Sequence, residues 1–529
     1  MKSVKAFLEG TLKCVEGTQV DSIFYCAHVN EPDWEIPTKY IKVLGANPVK
    51  HVVDFAHRNG MEFFYAIRMN DVHAGRYPAK PSYWPPFRLQ HPELLMGYIS
   101  REHWEQKVTP WVERFMAIEK ERWERKLYDP QKEVELRRLA EQEHPLAEVF
   151  QRNGVASRDL WFWAGYDWAL PPVRSRYLEV VEGACRRYDL EGIELDWLRH
   201  TGYFKLGEER RNIPIMNDFV RQVRQRLDHY AQKRGRPILL AVRTPDTIDA
   251  SLSIGLDPET WVREGWVDLL MAGTGLMPFS VPMAEWVDLG HRYHVPVYGC
   301  LDRLYATFRT GRPKYDMRDP DIEGDDASHY DSVNAACHRF WNEGVDGIYV
   351  YNWHTHHGPT DPRDYGTVPR VGEPGPLVRR NKLYRIDTDN YYSSGAIGDS
   401  CMPPQLPKAF TTQAGPSSDR FTLRIADDPD SVARAALQIR WKRPGDPSRA
   451  SWQLNGTPLS DPRPLSVKGY GASYGFGFQE EAGWSAFEVS PQALKRGENK
   501  LRIVVQPPDA GDPARPVELL EIRLWIGYS

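Results

Sequence analysis

Gly192-Ile193-Glu194-Leu195-Asp196-Trp197-Leu198-Arg199-His200 (residues 192–200) reads as a buried strand closed by charge. Side chains alternate along a strand, so Ile193 and Leu195 share one face and Glu194 and Asp196 the other. Two carboxylates on one face shift each other's pKa, the raw material of acid/base chemistry. The competing reading is a structural pair held by Arg199 or another arginine, because ion-pair networks collect the same groups.

Working outward, residues 22–354 alternate short apolar runs with helical patterns. The runs are SIFYCAHVN ending at Asn30, EFFYAIRMND at Asp71, LWFWAGYDW at Trp168, GIELDWLRH at His200, PILLAVRTPD at Asp246, WVDLLMAGT at Thr274, VPVYGCLDR at Arg303 and GIYVYNWH at His354. Repeated strand–helix units of this kind predict a parallel sheet. Eight of them predict a (β/α)8 TIM barrel spanning 1–357 with GIELDWLRH as its fourth strand. A doubly wound open sheet competes, but no Gly-rich phosphate turn follows the first run.

The connection after the second run is too long for an ordinary loop and predicts an insertion over 74–158. Its Tyr77, Tyr83, Trp84 and Phe87 suggest an ordered cap over the barrel mouth, and its charged helices a solvated face. A Gly/Pro/Asp-rich stretch, 358–407, reads as a linker or wrapping segment. From 408 to 529 the period changes. RFTLRIA, AALQIRWK, ASWQLNGTPL, WSAFEVS, NKLRIVVQ and VELLEIRLWIGY alternate between turn signals and predict a C-terminal antiparallel β-sandwich as an accessory domain.

Composition narrows the function classes. A net charge of −4 implies no polyanionic partner, so no nucleic acid is expected. No apolar run approaches the ~20 residues of a membrane helix, so no membrane partner is expected either. The N-terminus MKSVKAFLEGTLKCVEG lacks an apolar signal core. That reads as cytoplasmic for a native N-terminus, and as secreted or periplasmic for a trimmed one. Six scattered cysteines show no metal or disulfide spacing. The 18 tryptophans and 26 tyrosines supply flat faces suited to sugar rings, although most such residues fill cores. The oligomeric state is left open.

In barrels the reacting groups sit at the C-terminal ends of the strands. That draws attention to Arg68, Asn70, Asp71, His73, Asp167, Trp168, Glu194, Asp196, Arg199, His200, Arg243, Asp302, Asn352, Trp353 and His354. Parity sharpens the set. With Phe63, Tyr65 and Ile67 outward, Ala66, Arg68 and Asn70 face inward; Arg243 follows Leu239 and Ala241 inward, and Asp302 follows Tyr298 and Cys300. The last strand stays open between Asn352 with His354 and Tyr351 with Trp353.

Glycosidic cleavage needs one carboxyl group to protonate the leaving oxygen and another to attack or to activate water. Asp196 and Asp302 are the leading pair, with Glu194 and Asp71 competing for the acid role. Arg199 beside Asp196 would favour its ionised form, suiting a nucleophile or base. Arg68, Arg199, Arg243 and Arg303 outnumber what a neutral sugar requires, which makes an acidic or sulfated glycan a candidate. Pairing of each arginine with a site carboxylate is the competing account. His354, His356 and His357 in WHTHHG do not have the HExxH spacing, so no metal and no cofactor is expected.

RRYDLEGIELDWLRH (Arg186–His200), together with IRMNDVH (Ile67–His73) and HPELL (His91–Leu95), resembles the glycosyl-hydrolase-like barrel proteins whose fourth strand reads roughly YDVDGIxxDxxR. The resemblance covers about residues 20–355. It implies a TIM barrel and a carbohydrate-directed hydrolase, with Asp196 and Arg199 at the motif's acidic and basic positions. The chitinase pattern DGxDxDxE fails, because Leu198 stands at its catalytic glutamate and Glu194 at its middle aspartate. The expected function is therefore a glycoside hydrolase acting on a poly- or oligosaccharide. A non-catalytic carbohydrate-binding barrel and a His/Asp metal-dependent hydrolase or lyase are the alternatives.

Overall fold

The computed structural model describes residues 3–26, 47–72, 86–114, 165–198, 200–302, 325–351, 371–387, 401–412, 415–442, 447–464, 482–508 and 517–528, with a few positions between 117 and 139. Seven strands, β1 (Ser22–Tyr25), β2 (Glu62–Arg68), β3 (Gly192–Asp196), β4 (Leu239–Thr244), β5 (Leu269–Ala272), β6 (Val297–Asp302) and β7 (Gly347–Tyr351), form one parallel sheet in chain order. The sheet curls until the Phe24 ring of β1 meets the Tyr349 ring of β7, with centroids 5.2 Å apart. Outward residues such as Phe63, Ile67, Ile193, Leu195, Leu240 and Val242 pack against the surrounding helices. Inward residues Phe64, Ala241, Met271, Cys300, Tyr349 and Tyr351 form a separate lumen cluster.

Local chemistry explains the helices. Pro48–Arg58 begins with a proline in its first turn and an Asn47 side chain that accepts from Val49 N at 3.0 Å. Ile213–Arg234 ends at Gly235, whose φ of 73° suits the left-handed stop.

The expected eight strands are corrected to seven among the described residues. LWFWAGYDW does not separate the second run from GIELDWLRH, because β2 pairs directly with β3 from Phe64↔Gly192 to Arg68↔Asp196. Each strand fills the other's hydrogen-bonding edge there and leaves no room between them. Residues 160–164 of that run lie outside the described residues; Tyr166 makes an isolated antiparallel bridge to Leu95, and Trp168 is buried. GIELD is thus the third strand. The cap residues Tyr77, Tyr83 and Trp84 also lie outside the described residues. Phe87 packs on the hydrophobic core around the parallel sheet, with the Arg176 guanidinium 4.7 Å from its ring.

The C-terminal runs form two antiparallel sheets built from β8 (Lys382–Arg385), β9 (Lys408–Phe410), β10 (Ser417–Ile425), β11 (Arg434–Lys442), β12 (Ala450–Leu454), β13 (Thr457–Leu459), β14 (Arg463–Pro464), β15 (Ala482–Val489), β16 (Gly497–Val505) and β17 (Val517–Gly527). One sheet runs β10-β16-β12-β13, the other β14-β15-β11-β17-β8, with β9 also on β17. Their shared core continues into Val333, Ala336 and Cys337 of the helix Asp325–Asn342. No helix among the described residues is long and apolar enough to cross a membrane.

At this junction Asp427, fully buried, accepts from the ammonium of Lys382 at 2.7 Å, the hydroxyl of Tyr384 at 2.6 Å and the hydroxyl of Tyr528. Removing one partner of a buried pair strands the other charge in low dielectric. Lys382→Met is therefore expected to cost about 3–5 kcal/mol in urea unfolding. A loss well under ~1 kcal/mol, the worth of a surface pair, would show that solvent reaches the carboxylate.

Candidate functional site

Arg68, Asp196 and Arg243 stand abreast on β2, β3 and β4, and Ala66, Glu194 and Ala241 stand abreast one inward position below. The Arg243 guanidinium donates to Asp196 Oδ1 at 2.8 Å, and the Leu198 backbone N–H donates to the same oxygen at 3.0 Å. Tyr351 donates its hydroxyl to Asp196 Oδ2 at 3.4 Å, and the Arg243 guanidinium lies 3.5 Å over the Tyr351 ring. Arg243 Nη2 also reaches the Thr274 carbonyl at 3.4 Å. Strand pairing thus delivers to Asp196 a guanidinium from the neighbouring strand. Arg199, the partner expected from sequence, lies outside the described residues.

Glu194 lies deeper, with 1 % exposure. Burial, and then the neighbouring Asp196 charge, push its carboxyl up to about 8 despite a hydrogen bond with Tyr349. Its Oε1 is buried with no hydrogen-bond partner among the described residues. A carboxyl group held protonated at neutral pH beside an arginine-paired carboxylate divides the two chemical roles. The neighbouring thiols of Cys26 and Cys300 are pushed by burial up to about 11 and about 12, so neither supplies a thiolate at neutral pH.

The remaining expected residues separate into groups. Arg68 pairs with Asp71 at 3.0 Å, and Arg88 donates to the Asp71 carbonyl at 3.1 Å. His200 Nδ1 accepts from the Val72 backbone N–H at 3.0 Å, so the ring proton sits on Nε2. Asp302 closes β6 beside Tyr351 in register and is 3 % exposed. Its backbone N–H donates to the Gly275 carbonyl at 3.1 Å, and a side chain at Gly275 would collide with that amide.

Three residues expected to bind substrate make contacts within the fold. Asn70 holds the Tyr166 backbone N–H at 3.0 Å and the Tyr166 and Gly202 carbonyls. Asp167 accepts from Ala169 N at 3.0 Å and sits 3.6 Å from the Lys205 ammonium. Trp168 is 0 % exposed, with its ring 4.7 Å from Tyr177 and 5.0 Å from Phe219. Trp168→Ala is therefore expected to cost about 3–5 kcal/mol of stability. Intact stability with altered glycan affinity would return the indole to the site. His73, Asn352, Trp353 and His354 lie outside the described residues, as do His356 and His357.

Sequence reasoning passed over Tyr349 and left Tyr351 open against Asn352. The alternation in GIYVY carried the signal, because Gly347 lies against the Tyr298 ring and sets Tyr349 and Tyr351 on the same inward face. It also left Asp246 without a role. Asp246 accepts from Thr274 N at 2.7 Å, Thr274 Oγ1 at 2.8 Å and Met402 N at 2.7 Å, pinning residues 401–402 beside the loop that receives Arg243.

No protein-family model and no curated protein matches this chain. Among solved structures, a Paenibacillus cycloisomaltooligosaccharide glucanotransferase complexed with cycloisomaltoheptaose is 10% identical, with a TM-score of 0.20 over 68% of this chain and 38% of its own. A porphyranase of glycoside hydrolase family 86 from Bacteroides plebeius is 13% identical, with a TM-score of 0.23 over 66% and 82%. An Anoxybacillus alpha-amylase is 9% identical, with a TM-score of 0.29 over 87% and 79%.

Proposed function

We propose that this protein is a glycoside hydrolase in which Glu194 and Asp196 share the acid and the base or nucleophile roles. The observation that carries the reading is the contrast on one strand face. Glu194 is pushed up to about 8 by burial, whereas Asp196 two residues on is bound by Arg243. Glycosidic cleavage needs such a pair, one carboxyl group protonated and the other charged. Asp302, at the end of β6, is the reserve carboxyl group. Arg68 and His200, both beside Asp71, are assigned to substrate contact at the mouth.

The substrate class is a neutral glycan. Arg68 and Arg243 each have a carboxylate partner, Asp71 and Asp196, which removes much of the case for an acidic or sulfated one. The barrel of 1–357, with its 74–158 insertion, is assigned the chemistry, and 408–529 the accessory role. The test is release of reducing ends from a panel of neutral, uronic and sulfated glycans, with Asp196→Asn and Glu194→Gln alongside. Cleavage of a neutral glycan that both substitutions abolish is the expected result. Cleavage that survives both overturns the assignment, and binding without cleavage by the unaltered protein favours a non-catalytic barrel.

A further inference from the structure

A cavity of about 540 Å³ reaches from the lumen to the wall between β1 and β7, which are not hydrogen-bonded to each other in the sheet formed by the described residues. Its outer part is lined by Val15, Gln19 and Gly372, and Gln19 Oε1 accepts from the Gly372 backbone N–H at 3.0 Å. The size lies within the range of small-molecule sites.

The inner part has a mixed chemistry. Phe24 and Phe64 stack with centroids 4.3 Å apart, and Tyr349 stands edge-on to Phe24. These rings give apolar walls. Arg68 and Glu194 line the same end, and each carries a buried polar atom with no hydrogen-bond partner among the described residues, Arg68 Nε and Glu194 Oε1. One orphan is a donor, while the other belongs to a carboxyl group that can donate or accept. Apolar faces with a donor and a convertible donor–acceptor at one end suit a ring bearing several hydroxyl groups.

Charge excludes the anionic relatives of such a ring. Asp21, Glu62, Asp196 and Asp346 also line the cavity, whereas Arg68 is already paired with Asp71. An added carboxylate would meet acidic walls with no uncommitted cation among the described lining residues.

We propose that this passage binds one neutral sugar-sized polyol, admitted from the side of the barrel between β1 and β7. The choice of a sugar rests on the carbohydrate reading above. The passage reaches both Glu194 and Asp196, so the bound unit lies beside the two carboxyl groups.

The test is binding without turnover. Saturation-transfer NMR and calorimetry on the full chain would use glucose, galactose, xylose, N-acetylglucosamine and glucuronate. Ala66→Leu adds bulk to the inner wall at the height of Glu194, and Val15→Trp fills the outer part. At least one neutral sugar is expected to bind, about tenfold more weakly in either variant, and glucuronate about tenfold more weakly than glucose. No binding by any neutral sugar, binding indifferent to a variant that circular dichroism shows to be folded, or equal binding of glucuronate would overturn the proposal. Sugar binding without glycan cleavage would sink the hydrolase reading and leave this site standing. Cleavage without binding here would do the reverse.

Discussion

Asp196→Asn is expected to lower glycan turnover by about 10³-fold, within the range that losing a positioned acid, base or nucleophile costs. Asparagine keeps the shape of the side chain and can still accept from Arg243 and the Leu198 amide. It cannot carry the charge. The Arg243 guanidinium, 1 % exposed, then loses its counter-ion, and breaking such a pair costs about 3–5 kcal/mol. Turnover must therefore be read where circular dichroism shows the variant folded. A second variant separates the two effects: Asp196→Asn with Arg243→Gln removes both charges and is expected to regain stability without regaining activity. Activity that returns with stability would make Asp196 a structural residue, and its pairing with Arg243 the whole of its purpose.

The second large effect is a pH profile governed by Glu194. Activity is expected to fall as pH rises through about 8, where the raised carboxyl group loses its proton and can no longer protonate a leaving oxygen. Glu194→Gln is expected to remove that alkaline limb and to cut turnover by about 10²–10⁴-fold. Stability follows the same proton. The folded carboxyl titrates near 8 against an ordinary value of 4.5, so between these values the folded state holds a proton that the unfolded state has released. The contribution is complete below the lower value and is lost as pH rises through the upper one. Differential scanning calorimetry in mildly acidic and in alkaline buffer should find that the unaltered protein loses more thermal stability than Glu194→Gln. An alkaline limb that persists in the glutamine variant would assign the titration to another group.

Much of the site was legible in the chain because strand parity is a local property. Arg68 and Arg243, read as inward from the apolar residues around them, stand level with Asp196. Asn70, read inward by the same rule, follows the strand end, where the chain has turned and alternation no longer applies. Trp168 shows a different limit. An aromatic-rich run reads the same whether its rings face a ligand or a core, and only the packing of Tyr177, Tyr203 and Phe219 around the indole separates the two.

Sequence by itself determined that Glu194 and Asp196 share a face, that parallel strands alternate with helices through most of the chain, and that an antiparallel sandwich follows. Each of these depends on side-chain periodicity over a few residues, which the chain carries wherever it folds. Only the tertiary structure decided that β2 pairs directly with β3, so that the sheet has seven strands among the described residues, with β1 and β7 not paired to each other. It alone brought Arg243 to Asp196 and sank Glu194 deep enough to keep its proton. Strand pairing and desolvation depend on residues far apart in the chain, and no local pattern encodes which of them will meet.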